Sequence, residues 1–174
     1  PLCSAALPFS VTDIQVIFAG VESCTSLALS MSNLLAAAAR GECNVSSVFL
    51  DKWQQIEQVF SFYCSRHEAS IARLSDMVAR NPATSAFLRE CADLSRRHTT
   101  AWDLPSLLIK PVQRVLKYPL FLRSIMECTE PHDPEYVQLQ MALRQKEGVE
   151  SRLNERKKRM DSVGHQGFEH PAAH

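Results

Sequence analysis

Six cysteines and six histidines are the residues most able to do metal or redox chemistry, and their spacing speaks against both. No two cysteines (Cys3, Cys24, Cys43, Cys64, Cys91 and Cys128) lie closer than nineteen residues, so no pair forms a CxxC motif. A disulfide-rich secreted domain would be shorter and more densely bridged, so the thiols read as reduced and buried in an intracellular protein. Three of the histidines, His165, His170 and His174, fall in a stretch that loses helical periodicity. His67 falls inside an apolar stripe, where a packed core histidine is expected, since no nucleophile is patterned beside it. The spacing offers no metal site, no catalytic residue and no cofactor site.

The charged side chains suggest binding instead. Nineteen basic and nineteen acidic residues cancel over 174 positions, which argues against coating nucleic acid. Locally they do not cancel. Between residues 144 and 159, seven basic side chains face three acidic ones, ending in Arg156-Lys157-Lys158-Arg159. Within 104–127, Leu108, Val112, Val115, Pro119, Leu122 and Met126 fall in one arc of about 80° on a helical wheel. Ser106, Lys110, Gln113, Arg114, Lys117 and Ser124 fall almost opposite. Ile109, Leu116 and Leu120 lie on the flank beside Lys117. A lysine, a glutamine and an arginine flanked by exposed aliphatics make a mixed patch, which suits a protein–protein contact.

The elements that hold these residues are read from periodicity. Only five glycines occur, against about twelve at average usage, so turns are few and elements long. Ser10, with Asp13 three residues on, opens a helix in capping-box fashion. Its stripe runs Ile14, Ile17, Val21, Cys24, Ala28, Met31, Leu35, Ala38, about seven turns without interruption, until Gly41 stops it. A second stripe, Phe49 to Val78, predicts a longer helix ended by Asn81-Pro82, which also caps the next. That next helix presents Phe87, Leu88, Cys91 and Leu94, and Arg96–Thr100 reads as a connection. Asp103 and Pro105 start a helix over 104–127 kinked by Pro111 and Pro119. Asp133 and Pro134 start the last one, to about residue 161, with Leu139, Ala142, Val149 and Leu153 buried. The expected fold is all-α, an elongated bundle of long helices over 10–162. Residues 1–9 read as a stub and 163–174 as a frayed tail. The apolar stretch 27–39 is too short and too polar to span a bilayer.

The run Leu107-Leu108-Ile109-Lys110-Pro111-Val112-Gln113-Arg114-Val115-Leu116-Lys117-Tyr118-Pro119-Leu120 resembles the third conserved region of the Dbl-homology domain. That family comprises guanine-nucleotide exchange factors for Rho-type GTPases. Tyr63-Cys64, Leu74 and Phe87–Cys91 resemble its second region, and Leu153-Asn154-Glu155 its closing helix. The resemblance implies a Rho-family small GTPase as partner, with no small-molecule substrate and no nucleic acid. It implies that Lys117 presses on switch II of the GTPase and that Asn154 hydrogen-bonds a switch II side chain. Gln113 would touch the partner, and Arg114 would hold the domain together by pairing with a carboxylate. Lys110 and Leu116 complete the implied face. The family's first conserved helix is expected to be missing, because residues 1–9 cannot form it. Together with a first residue that is Pro1 and not Met, this suggests a piece of a longer chain. A truncated, exchange-deficient helical scaffold is the alternative. A cytoplasmic location is expected, with a peripheral contact to anionic membrane through Arg156–Arg159 as a second role.

Overall fold

The computed structural model describes residues 8–145, and every regular element within them is a helix. Ser10 caps α1 (Val11–Ile17) as its sequence predicts: its Oγ accepts the Asp13 N–H, and the Asp13 carboxylate accepts the Ser10 N–H. The continuous helix expected over 10–40 is two helices. α2 (Val21–Ala39) departs from α1 at 46°, and Gly20 between them holds φ +80°. A β-carbon at Gly20 would stand 3.0 Å from the Phe62 ring, so the bend sets two helices as close as a glycine permits. Along α2 Cys24 and Met31 are buried as the stripe predicts, but Ala28 is exposed and Leu27 buried in its place.

Gly41 ends α2 as expected. It adopts φ +77°, its N–H bonds the Ala38 carbonyl, and Glu42 N–H reaches back to Ala37. α3 (Val45–Arg80) is the spine of the molecule. Its 36 residues run about 54 Å at the usual rise. α1, α2, α4 (Pro82–Ser95) and α6 (Lys110–Glu127) all pack on it. Asn81 caps α4 by accepting the Ala83 N–H at 3.0 Å, with Pro82 in the first turn. Leu94, expected on α4's apolar face, is 64% exposed; it lies in the last turn, while the half-buried Phe87, Leu88 and Cys91 carry the packing.

The kinked helix at 104–127 is broken at Ile109 into α5 (Leu104–Leu108) and α6. Pro111 explains the position: it has no N–H for the Leu107 carbonyl four residues back, and its ring crowds that group. Pro119 sits inside α6 without interrupting it. A further helical stretch, α7 (134–145), follows Asp133, whose carboxylate accepts the Glu135 N–H at 2.8 Å. The expected tail and the basic run Arg156–Arg159 lie outside the described residues.

Among the described residues, two apolar clusters line α3. The larger joins Cys24, Leu27 and Met31 of α2 to Phe49–Tyr63 of α3, Val115, Tyr118 and Leu122 of α6, and Leu139 and Ala142 of α7. The smaller joins Ile17, Leu74 and Leu108. Between them, Ser70 Oγ donates to the Val16 carbonyl at 2.9 Å. No single helix among the described residues is long and apolar enough to cross a membrane.

Candidate functional site

Val115, Tyr118, Pro119 and Leu122 are buried on one side of α6. Tyr118 anchors that side, stacking edge-on against Phe49 at 5.3 Å and Phe60 at 6.1 Å between ring centres. Burial drives the Tyr118 hydroxyl pKa up, with Arg114 opposing the shift. The N-terminal end of α6 is set by a long-range bond. The Tyr63 hydroxyl donates to the Leu108 carbonyl at 2.6 Å, just before the break. Desolvation pushes that hydroxyl up to about 12, so it stays a donor at any physiological pH.

With one side fixed in the core, the other must face solvent. Lys110, Gln113, Arg114 and Lys117 follow one another at helical spacing, and all are exposed. Leu116 is 50% exposed and Leu120 57% exposed, which places both flank leucines on the surface; Ile109 is half-buried. Among the described residues, no carboxylate pairs with Lys110, Arg114 or Lys117. The carboxylate expected to pair with Arg114 is not found among the described residues, where the ion pairs engage Arg40, Arg73, Arg80 and Arg96. Asn154 lies outside the described residues.

The sequence reading omits one aromatic from this face. Phe121 is 44% exposed, four residues after Lys117 and about 40° from it on the wheel. The wheel contained the signal, since Phe121 falls opposite the buried arc, but large aromatics are assigned to cores by default. A phenyl ring and two leucines flanking two lysines and an arginine give the face a mixed apolar and cationic composition, which suits protein docking.

His67 has no part in this face. Its ring centre lies 6.1 Å from that of Tyr63, and its Nε2 is buried with no hydrogen-bond partner among the described residues. Desolvation lowers its pKa, which keeps it a neutral packed histidine.

Comparison with known proteins bears on the family and the fold. A family model described as the RhoGEF domain matches residues 2–154. Rho guanine nucleotide exchange factor gef1 of Schizosaccharomyces pombe is 30% identical over 170 residues, 90% of this chain and 22% of that protein. The phosphatidylinositol 3,4,5-trisphosphate-dependent Rac exchanger 1 protein of Mus musculus is 30% identical over 155 residues, 87% of this chain and 9% of that one. Autoinhibited Vav1 superposes with a TM-score of 0.79 at 26% identity, covering 90% of this chain and 29% of that one. The PDZ-RhoGEF DH/PH domains, solved in complex with activated RhoA, superpose with a TM-score of 0.73 at 20% identity. They cover 85% of this chain and 43% of theirs, and at that identity the likeness is one of fold. The chain thus spans less than a quarter of the length of either of these relatives. With its all-helical fold and a family match over residues 2–154, the chain belongs to the RhoGEF-domain family of guanine-nucleotide exchange factors.

Proposed function

We propose that the outward face of α6 docks a Rho-type small GTPase and that the docked complex releases GDP. The observation that carries this reading is the pairing of two faces on one helix. Lys110, Gln113, Arg114, Leu116 and Lys117 are exposed, and the opposite side is anchored in the main core through Tyr118 and Leu122. A docking face built on a rigid element loses little entropy on binding. The named relatives support the choice of partner: one is a Rho exchange factor, and PDZ-RhoGEF has been solved bound to RhoA.

Exchange by such a face needs no covalent chemistry. A surface that binds the nucleotide-free GTPase more tightly than the GDP-bound form shifts the equilibrium toward nucleotide release. Lys117 would press on switch II, and Asn154 would hydrogen-bond a switch II side chain. Leu116, Leu120 and Phe121 would supply apolar area.

The test is release of a fluorescent GDP analogue from a panel of Rho-type GTPases. Lys117→Ala should slow the accelerated release at least about tenfold, or ~1.4 kcal/mol. Its unfolding free energy should stay within about 0.5 kcal/mol of the parent, because the side chain is exposed. GTPase binding without acceleration would show docking without exchange, the behaviour of a scaffold. Acceleration unchanged by Lys117→Ala would sink the assignment of this face.

A further inference from the structure

The connection between α4 and α5 carries side chains that neither the helix core nor the α6 face uses. Trp102 is 81% exposed and Leu94, at the end of α4, is 64% exposed. The intervening Arg96-Arg97-His98-Thr99-Thr100-Ala101 contains two arginines and a histidine and no acidic residue. The flanking acids are already engaged. Asp93 pairs with Arg96 at 2.9 Å, and Asp103 caps α5 by accepting the Ser106 N–H at 2.8 Å. Arg97 has no ion-pair partner among the described residues. Ser95 and Ala101, at the two ends of the connection, line a single cavity of about 260 Å³ together with Phe9, Phe18, Phe87 and Leu104.

An indole this exposed is out of place in water but suits the boundary of a bilayer, where its ring meets hydrocarbon and its N–H stays wet. Unpaired arginine in the same connection supplies the charge that anionic headgroups attract. We propose that residues 94–102 form a membrane-contact site for anionic lipid, inserting Trp102 and Leu94 at the interface while Arg97 and its neighbours meet lipid phosphates. Two apolar tips on a cationic connection match a bilayer surface better than a broad, flat protein interface.

The chain reports on this contact by itself. It has two tryptophans, and Trp53 is only 9% exposed in the main core, so a vesicle-induced change in emission comes from Trp102. The full 174-residue chain is mixed with vesicles of phosphatidylcholine containing about three-tenths phosphatidylserine, and separately with phosphatidylcholine alone. Anionic vesicles should shift the emission to the blue and co-sediment the protein, and high salt should reverse both. Arg97→Gln should weaken binding about fivefold, and Trp102→Ala at least as much, with helicity by circular dichroism unchanged. The proposal is overturned by any of four results. These are no spectral change with anionic vesicles, equal binding to neutral ones, and binding that survives both substitutions, which would move the affinity to another surface such as Arg156–Arg159. The fourth is a concentration-dependent dimer abolished by Trp102→Ala, which would give the patch to a second copy of the chain. No readout involves nucleotide exchange, so the α6 assignment stands or falls separately.

Discussion

Asp13 shows how a local motif gains a distant partner. The carboxylate is 6% exposed, accepts the Ser10 N–H at 2.9 Å and the Ser10 hydroxyl at 2.7 Å, and meets Arg73 Nε at 2.7 Å. Hydrogen bonds from Ser10, then the Arg73 guanidinium, hold its pKa down to about 2, against 3.8 ordinarily. The native state thus favours the charged form. The stability this gives is complete above the ordinary carboxylate value and is lost as pH falls from 3.8 through about 2. Asp13→Asn should lower the melting temperature at neutral pH and flatten the acid decline between about pH 4 and 2, followed by circular dichroism. Equal melting temperatures at pH 7 would show that the α1–α3 link contributes nothing. The Ser10–Asp13 box is legible in the sequence because its members are three residues apart. Arg73 is not, because only folding brings it across from α3.

Helix ends set by local geometry were legible; helix breaks set by neighbours were not. Asn81-Pro82, Gly41 and Asp133-Pro134 each act within a turn of the chain, and each does what its residues predict. The break at Gly20 depends on Phe62 of α3, which no periodicity within α1 or α2 reveals. Gly20→Ala should cost at least about 1–2 kcal/mol for the left-handed backbone alone, with the Phe62 contact adding to it. Denaturant unfolding would measure the loss, and a neutral result would mean that the two helices can straighten. The break at Ile109 has a visible cause in Pro111 but a distant anchor in Tyr63. Tyr63→Phe leaves the buried Leu108 carbonyl without this donor, at about 1–3 kcal/mol. Because that bond sets where α6 begins, GDP release should slow as well. Stability lost with exchange intact would show that α6 is positioned by its core contacts alone.

At the scale of the molecule, α3 is a long shared wall, and the remaining helices gain most of their stability by packing on it. Leu122, fully buried where α6 enters the main cluster, tests that view: Leu122→Ala should cost about 2–5 kcal/mol by thermal or denaturant unfolding. A loss below about 1 kcal/mol would mean that the cluster collapses around the gap. The clusters also explain which sequence assignments failed. Leu27 is buried between Cys24 and Met31 in the main cluster, while Ala28 is exposed. Phe121 stayed at the surface because Phe49 and Phe60 pack on Tyr118, on the other side of α6.

The sequence by itself determined that this chain is helical, where most helices start and stop, and that α6 has one apolar and one mixed face. It also held the run around Lys117 that marks the family. These follow from backbone capping, proline geometry and the helical repeat, which act over a few residues. Only the tertiary structure decided where two helices break, that Arg73 reaches Asp13, and that Phe121 and Trp102 face solvent. Those outcomes rest on contacts between groups distant in sequence, and a wheel drawn for one helix contains no information about what stands opposite it.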